Sequence, residues 1–135
     1  MSKDTIYLPL SLGNFLEGRT LKDRNIGQVI ATRKYHLVGD EKTILLVKIG
    51  MPVPSDDGVD FYCPYEIVAG RTESVEFAAG VDAIQALQLA VMAIASKVKL
   101  HNDRRGGRLR WLSDENTDLG FPDVVEALRR DQEGG

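Results

Sequence analysis

Residues 80–101 read GVDAIQALQLAVMAIASKVKLH, and the fold turns on this stretch. Ile84, Leu87, Val91, Ile94 and Val98 recur at helical spacing, with Ala90 and Ala95 beside them. Gln85, Gln88, Met92, Ser96 and Lys99 trace the opposite, wetter side. Alanines at 83, 86, 90, 93 and 95 raise helix propensity and lower bulk, so the backbone is free to lie close to its neighbour. Asp82 and Gln85 are spaced as a near relative of the capping box, each side chain able to satisfy a backbone N–H of the first turn. Asp82 at the start and Lys97, Lys99 and His101 at the end suit the helix dipole. The spacing predicts one long helix from Asp82 to about Leu100, and such a helix needs a flat apolar surface to lie on.

The sequence before it supplies that surface. Residues 28–38 and 43–50 are rich in Val, Ile, Thr and Tyr and read as two strands. Gly39-Asp40 between them suits a hairpin turn. TILLVKI is almost continuously apolar, as a strand in the middle of a sheet is. Residues 51–58 read as a loop because two prolines deny backbone donors and turn formers follow. A third strand is expected over 59–69, with Phe61, Cys63, Tyr65 and Ile67 on one face and Tyr62, Glu66 and Val68 on the other. Pro64 inside it argues for an edge strand or a bulge. A fourth strand follows over 72–79, then the helix, then a short strand over 108–112. Pro122 is placed to open a final short helix containing Val124, Val125 and Leu128.

The expected fold is therefore α+β: a mainly antiparallel sheet of about four to five strands with the long helix packed on one face, and a short C-terminal helix. The 135 residues suit one domain. Within it, 1–25 form an N-terminal segment or arm with Leu8, Leu10, Leu12, Phe15 and Leu16, packing on its own domain or on a second subunit, and 131–135 form a frayed tail. The sheet face away from the helix is the place to look for function.

Composition bounds the chemistry. The chain is 43% hydrophobic and 27% charged, with a net charge of −3, which is no field for attracting polyanions. A lone cysteine, Cys63, precludes an internal disulfide and points to a reducing cytoplasm. No apolar run reaches the roughly 18 residues a membrane span needs, and no signal peptide is legible, so no membrane role is expected.

Three pieces of sequence belong together. Gly80-x-Asp82-x-x-Gln85-Ala86-Leu87-x-Leu89-Ala90, then Gly107-x-Leu109-x-Trp111, then Leu119-Gly120-Phe121-Pro122, resemble a family of short bacterial proteins of unknown function. A looser match includes Ala31-Thr-Arg33 and Ile49-Gly-x-Pro52. The resemblance implies a strand-rich half followed by the helix, and it brings no catalytic residues with it.

Candidate chemistry is sparse. Cys63 would need a histidine and an orienting acid to act as a nucleophile, and only His36 and His101 exist. A free cysteine on an apolar strand face is more often packed than reactive. Asp56, Asp57 and Asp60 are an acidic loop without metal-ligand spacing, and no phosphate-binding glycine motif is present. No catalytic residues, metal or cofactor are assigned.

The sharpest charge feature lies at 97–110, where six basic residues face one acid, Asp103. Arg104, Arg105, Arg108 and Arg110 with Trp111 have the makings of a contact for single-stranded nucleic acid or for a protein. The plainer reading is a helix end and a solvated turn, neutralised by the seven acids of 111–135 folding back. Gln85 and Gln88 are either exposed helix formers or interface amides, and Trp111 either a lid on the core or a binding hot spot.

The resulting expectation is a cytoplasmic protein that is not an enzyme: a protein-binding module, neutraliser or adaptor, with another protein or a second copy as partner. The alternative is a metabolite binder or small enzyme with a pocket between helix and sheet lined by Arg33, His36, Tyr62, Tyr65 and Glu66. Nucleic-acid binding through 97–111 is the weaker alternative.

Overall fold

The computed structural model describes residues 25–71 and 74–122. The elements run β1 (Val29–Leu37), β2 (Thr43–Gly50), β3 (Val53–Pro54), β4 (Phe61–Val68), β5 (Val75–Gly80), α1 (Ala83–Arg104) and β6 (Leu109–Arg110). The strands form one six-stranded sheet in the order β3-β4-β2-β1-β6, with β5 paired to β4. Every pairing is antiparallel, and α1 packs on β4 and β5. The fold is α+β. The N-terminal arm, the first residues of the expected fourth strand, the C-terminal helix and the tail lie outside the described residues.

The β1–β2 hairpin closes where expected. Gly39 takes φ +82°, and Asp40 N–H donates to the Leu37 carbonyl. β2 lies between β1 and β4, as its apolar run requires. Two readings are corrected. The loop after β2 contains a two-residue strand, β3, whose Val53 and Pro54 pair with Tyr62 and Phe61. And β4 is no edge strand despite Pro64. β3 pairs with β4 up to Tyr62 and β2 pairs with it from Tyr65 onward, so Pro64 falls in the gap between them. On that side no ladder bond is lost.

Alternation places Tyr35, Leu45, Val47, Ile49, Cys63 and Tyr65 on the face beneath α1, all of them buried. Register aligns them across strands: Tyr35 opposite Leu45, Ile49 opposite Tyr65, and Cys63 opposite Ala78. Each large apolar side chain buried this way contributes roughly 1.5–3 kcal/mol.

The helix starts as its cap predicts, with a twist in the reciprocal bond. Gln85 N–H donates to Asp82 Oδ1 at 2.8 Å, and the Gln85 side chain reaches Val81 N–H at 2.8 Å, one residue further back than in a capping box. The buried stripe is Ala86, Ala90, Ile94 and Val98. Ile84, expected inside, is 68% exposed. The large residues mislead here because small ones decide the approach. A Cβ on Gly80 would lie 2.4 Å from Ala86 N, so α1 meets the end of β5 backbone to backbone, and only alanine fits beneath it. The helix is therefore rotated toward Ala86 and Ala90. By length and composition α1 also passes for a membrane span, as core helices do; here its small-residue face lies on the sheet.

The opposite face of the sheet is open over β1, where Thr32 and Lys34 are exposed, and closed in the middle of β4. Pro64 is buried there, and Glu66 is only 5% exposed, paired at 3.4 Å with Lys48, the residue directly opposite it on β2.

Candidate functional site

The segment after α1 returns over β1 and ties the two ends of the described chain together. Leu109 and Arg110 add β6 beside Leu37 and His36. Asn102 Oδ1 accepts Leu109 N–H at 2.9 Å, and Val38 N–H donates to the Arg108 carbonyl at 2.9 Å, so the turn through Gly106 and Gly107 is held from both sides. Gly106 and Gly107 both have positive φ, which explains a glycine pair in this place.

Beyond β6, Arg33 forms the centre of a clasp. Its guanidinium lies 3.9 Å from the Trp111 ring centroid and 4.8 Å from that of Phe121, and Nη1 donates to the Gly120 carbonyl at 2.7 Å. Two residues along the same strand face, Tyr35 Oη donates to the Leu119 carbonyl at 2.6 Å. Burial raises the Tyr35 phenol, with Arg33 pulling the other way, so it stays a protonated donor. Gly120 sits at φ +85°, and a Cβ there would meet Arg33 Nη1 at 2.5 Å and the Trp111 ring at 2.7 Å. Trp111 Nε1 is buried and has no hydrogen-bond partner among the described residues.

A second tie holds the same segment. The Asp114 carboxylate accepts from Gly39 N–H at 3.1 Å and meets His36 Nε2 at 3.2 Å. Of the seven acids expected to fold back on the arginines, Asp123, Glu126, Asp131 and Glu133 lie outside the described residues, and Asp114 turns elsewhere. Asp114 uses its carboxylate on β1 and its turn, and only its backbone carbonyl reaches Arg110, at 2.8 Å.

The five residues of the basic candidate therefore part company. Arg105 caps α1, its Nη1 on the His101 carbonyl at 3.0 Å and on His101 Nδ1 at 3.1 Å. Arg110 also bonds the Gly107 and Leu109 carbonyls. Trp111 is stacked on Arg33. Arg104 and Arg108 are exposed. The alternative pocket set is split by alternation: Arg33 and Tyr65 lie on the helix face, Tyr62 and Glu66 on the other, and His36 sits at the end of β1 against Asp114.

Other titratable groups are placed for packing. Cys63 is fully buried, and burial pushes its thiol up to about 11, away from the thiolate a nucleophile needs. Tyr65 Oη bonds Glu76 Oε1 at 3.1 Å; burial and then the Glu76 charge raise its phenol. Glu76 also pairs with Lys97 at 3.3 Å. His101 is lowered, first by burial and then by Arg105, Arg104 and Lys97. Among the described residues no group of three or more His, Cys, Asp or Glu side chains is placed to hold a metal.

Three of the five pieces quoted from the sequence meet here, Ala31-Thr-Arg33, Gly107-x-Leu109-x-Trp111 and Leu119-Gly120-Phe121-Pro122, while the Gly80–Ala90 piece starts α1 and Ile49-Gly-x-Pro52 ends β2; residues 31–123 match a domain-family signature. The chain belongs to DUF6968, a domain of unknown function. The DUF6968 match begins just before Arg33 and ends just after Pro122, so its limits enclose both halves of the clasp. No curated protein and no solved structure matches the chain. The sequence signal for the clasp was present in those motifs. What spacing alone could not supply was that Arg33 and Trp111, assigned to different candidate sites, touch each other.

Proposed function

We propose that this DUF6968 protein is a non-catalytic protein-binding module of a reducing cytoplasm, and that it binds through the outer face of α1. The observation behind this is the character of that face. From Ala83 to Ser96 the helix has no charged residue, yet Ile84 is 68% and Met92 47% exposed, with exposed Val81 and Gln88 beside them. Apolar surface gathered on one helix face and left in water favours association. The reading is supported from the other side by the chemistry: Cys63 is buried and protonated, and the clasp side chains are already engaged with one another.

The test is cross-linking of the tagged full chain in its native cell, compared with Ile84→Glu and Met92→Glu. Both substitutions are on exposed positions, so the melting temperature is expected to stay put. A reproducible partner lost in both variants supports the proposal. Recovery of the same set of proteins with and without the substitutions overturns it.

A further inference from the structure

We infer that the outer edge of β5 and the adjoining flank of α1 together form a twofold interface for a second copy of this chain. This goes beyond the binding reading above, since it names an occupant and adds the edge of β5; the two surfaces share Met92.

Among the described residues, β5 is paired on one side only, to β4. It is six residues long and carries neither of the usual protections of an edge, a proline or a lysine. Its one charge, Glu76, is neutralised from within by Lys97 at 3.3 Å. An antiparallel twofold centred on Ala78 sets Glu76 opposite Gly80 of the second copy, so the two carboxylates do not face each other.

The helix above fits the same axis. Lys97 reaches Glu76 on β5, whereas Asn102 reaches Leu109 on β6, so the flank bearing Lys97 looks toward the open edge. That flank carries Gln85, Leu89, Met92, Ala93, Ser96 and Leu100, with Leu89 38% and Leu100 47% exposed. The set is symmetric about 92/93: antiparallel pairing puts Gln85 against Leu100, Leu89 against Ser96, and Met92 against Ala93. Ala93 and Ser96 allow close approach.

α1 packs on β5 as well as on β4, so a twofold along the β5 edge brings the two helices side by side. One operation thus satisfies both the strand edge and the helix flank, giving a continuous sheet with two antiparallel helices on the same side. An isologous contact of this kind closes at two copies.

The test is sedimentation equilibrium of the full chain from low micromolar to near-millimolar concentration. A reversible monomer–dimer equilibrium is expected, weakened roughly tenfold or more by Leu89→Glu with Leu100→Glu at unchanged melting temperature. As a second measurement, Met92→Cys is expected to be joined to its copy by a short bismaleimide, and Leu112→Cys, exposed at the far edge beside β6, is not. A chain that stays monomeric throughout, or a dimer indifferent to the double substitution, overturns the self-pairing. Neither result touches binding of another protein through Ile84, which the Ile84→Glu arm of the cross-linking comparison decides separately.

Discussion

Arg33 and Trp111 face each other at 3.9 Å, and through that contact the first described strand holds the segment that follows the last. The guanidinium is flat, stacks on the indole and on Phe121, and still has an N–H for the Gly120 carbonyl. A lysine ammonium cannot do all three. Arg33→Lys is therefore expected to lower stability by about 1–2 kcal/mol, and Arg33→Ala by somewhat more. Denaturant unfolding checks this, with the chain's one tryptophan as the reporter.

Gly120→Ala attacks the same clasp from the opposite side. Its Cβ would press on Arg33 and Trp111 and hold a left-handed φ at the same time. A loss of about 1–3 kcal/mol is expected. The native tryptophan emission should shift while the far-ultraviolet circular dichroism, set mostly by α1 and the sheet, stays the same.

Gly80→Ala is expected to be harsher than any clasp substitution. The clash is with the backbone of Ala86 at the root of α1, which has no rotamer to yield. A cost on the order of 3 kcal/mol or failure to accumulate as folded protein is predicted, read by soluble yield and thermal unfolding.

Stability should fall as His101 is made to take a proton. Its folded-state pKa lies below the ordinary value of 6.5, so its contribution is fully present above that value and is lost as pH drops through the lowered one. Melting temperatures of the native chain and His101→Gln between about pH 5 and 8 should diverge only on the acid side, with the variant the less acid-sensitive. Parallel curves would show that His101 carries no such linkage.

Strand periodicity and the helix cap were legible because each is a local property. Tyr35, Leu45, Val47, Cys63 and Tyr65 alternate as buried strand residues do, and Asp82 caps α1. What the sequence could not show was set by close approach at a distance. Ile84 is larger and more apolar than Ala86, so it reads as core. Yet Gly80 admits only the small-residue face, and Ile84 is turned outward. Pro64 likewise reads as an edge signal until β2 and β3 are seen to leave a gap beside it. The clasp was half legible: its residues stood in the motifs, but Arg33 meets Trp111 only after the whole sheet is in place.

The exposed face proposed for binding depends on α1 being rotated this way, so the orientation of the helix is the proposition to test. In a Cys63→Ala background, Ile84→Cys and Ala90→Cys are compared for thiol labelling in native buffer. The thiol placed at position 84 should react at the rate of an exposed group, and the thiol placed at position 90 should react on the order of 100-fold more slowly, through opening of the structure. Equal rates, or a protected thiol at 84 with a reactive one at 90, would contradict the account.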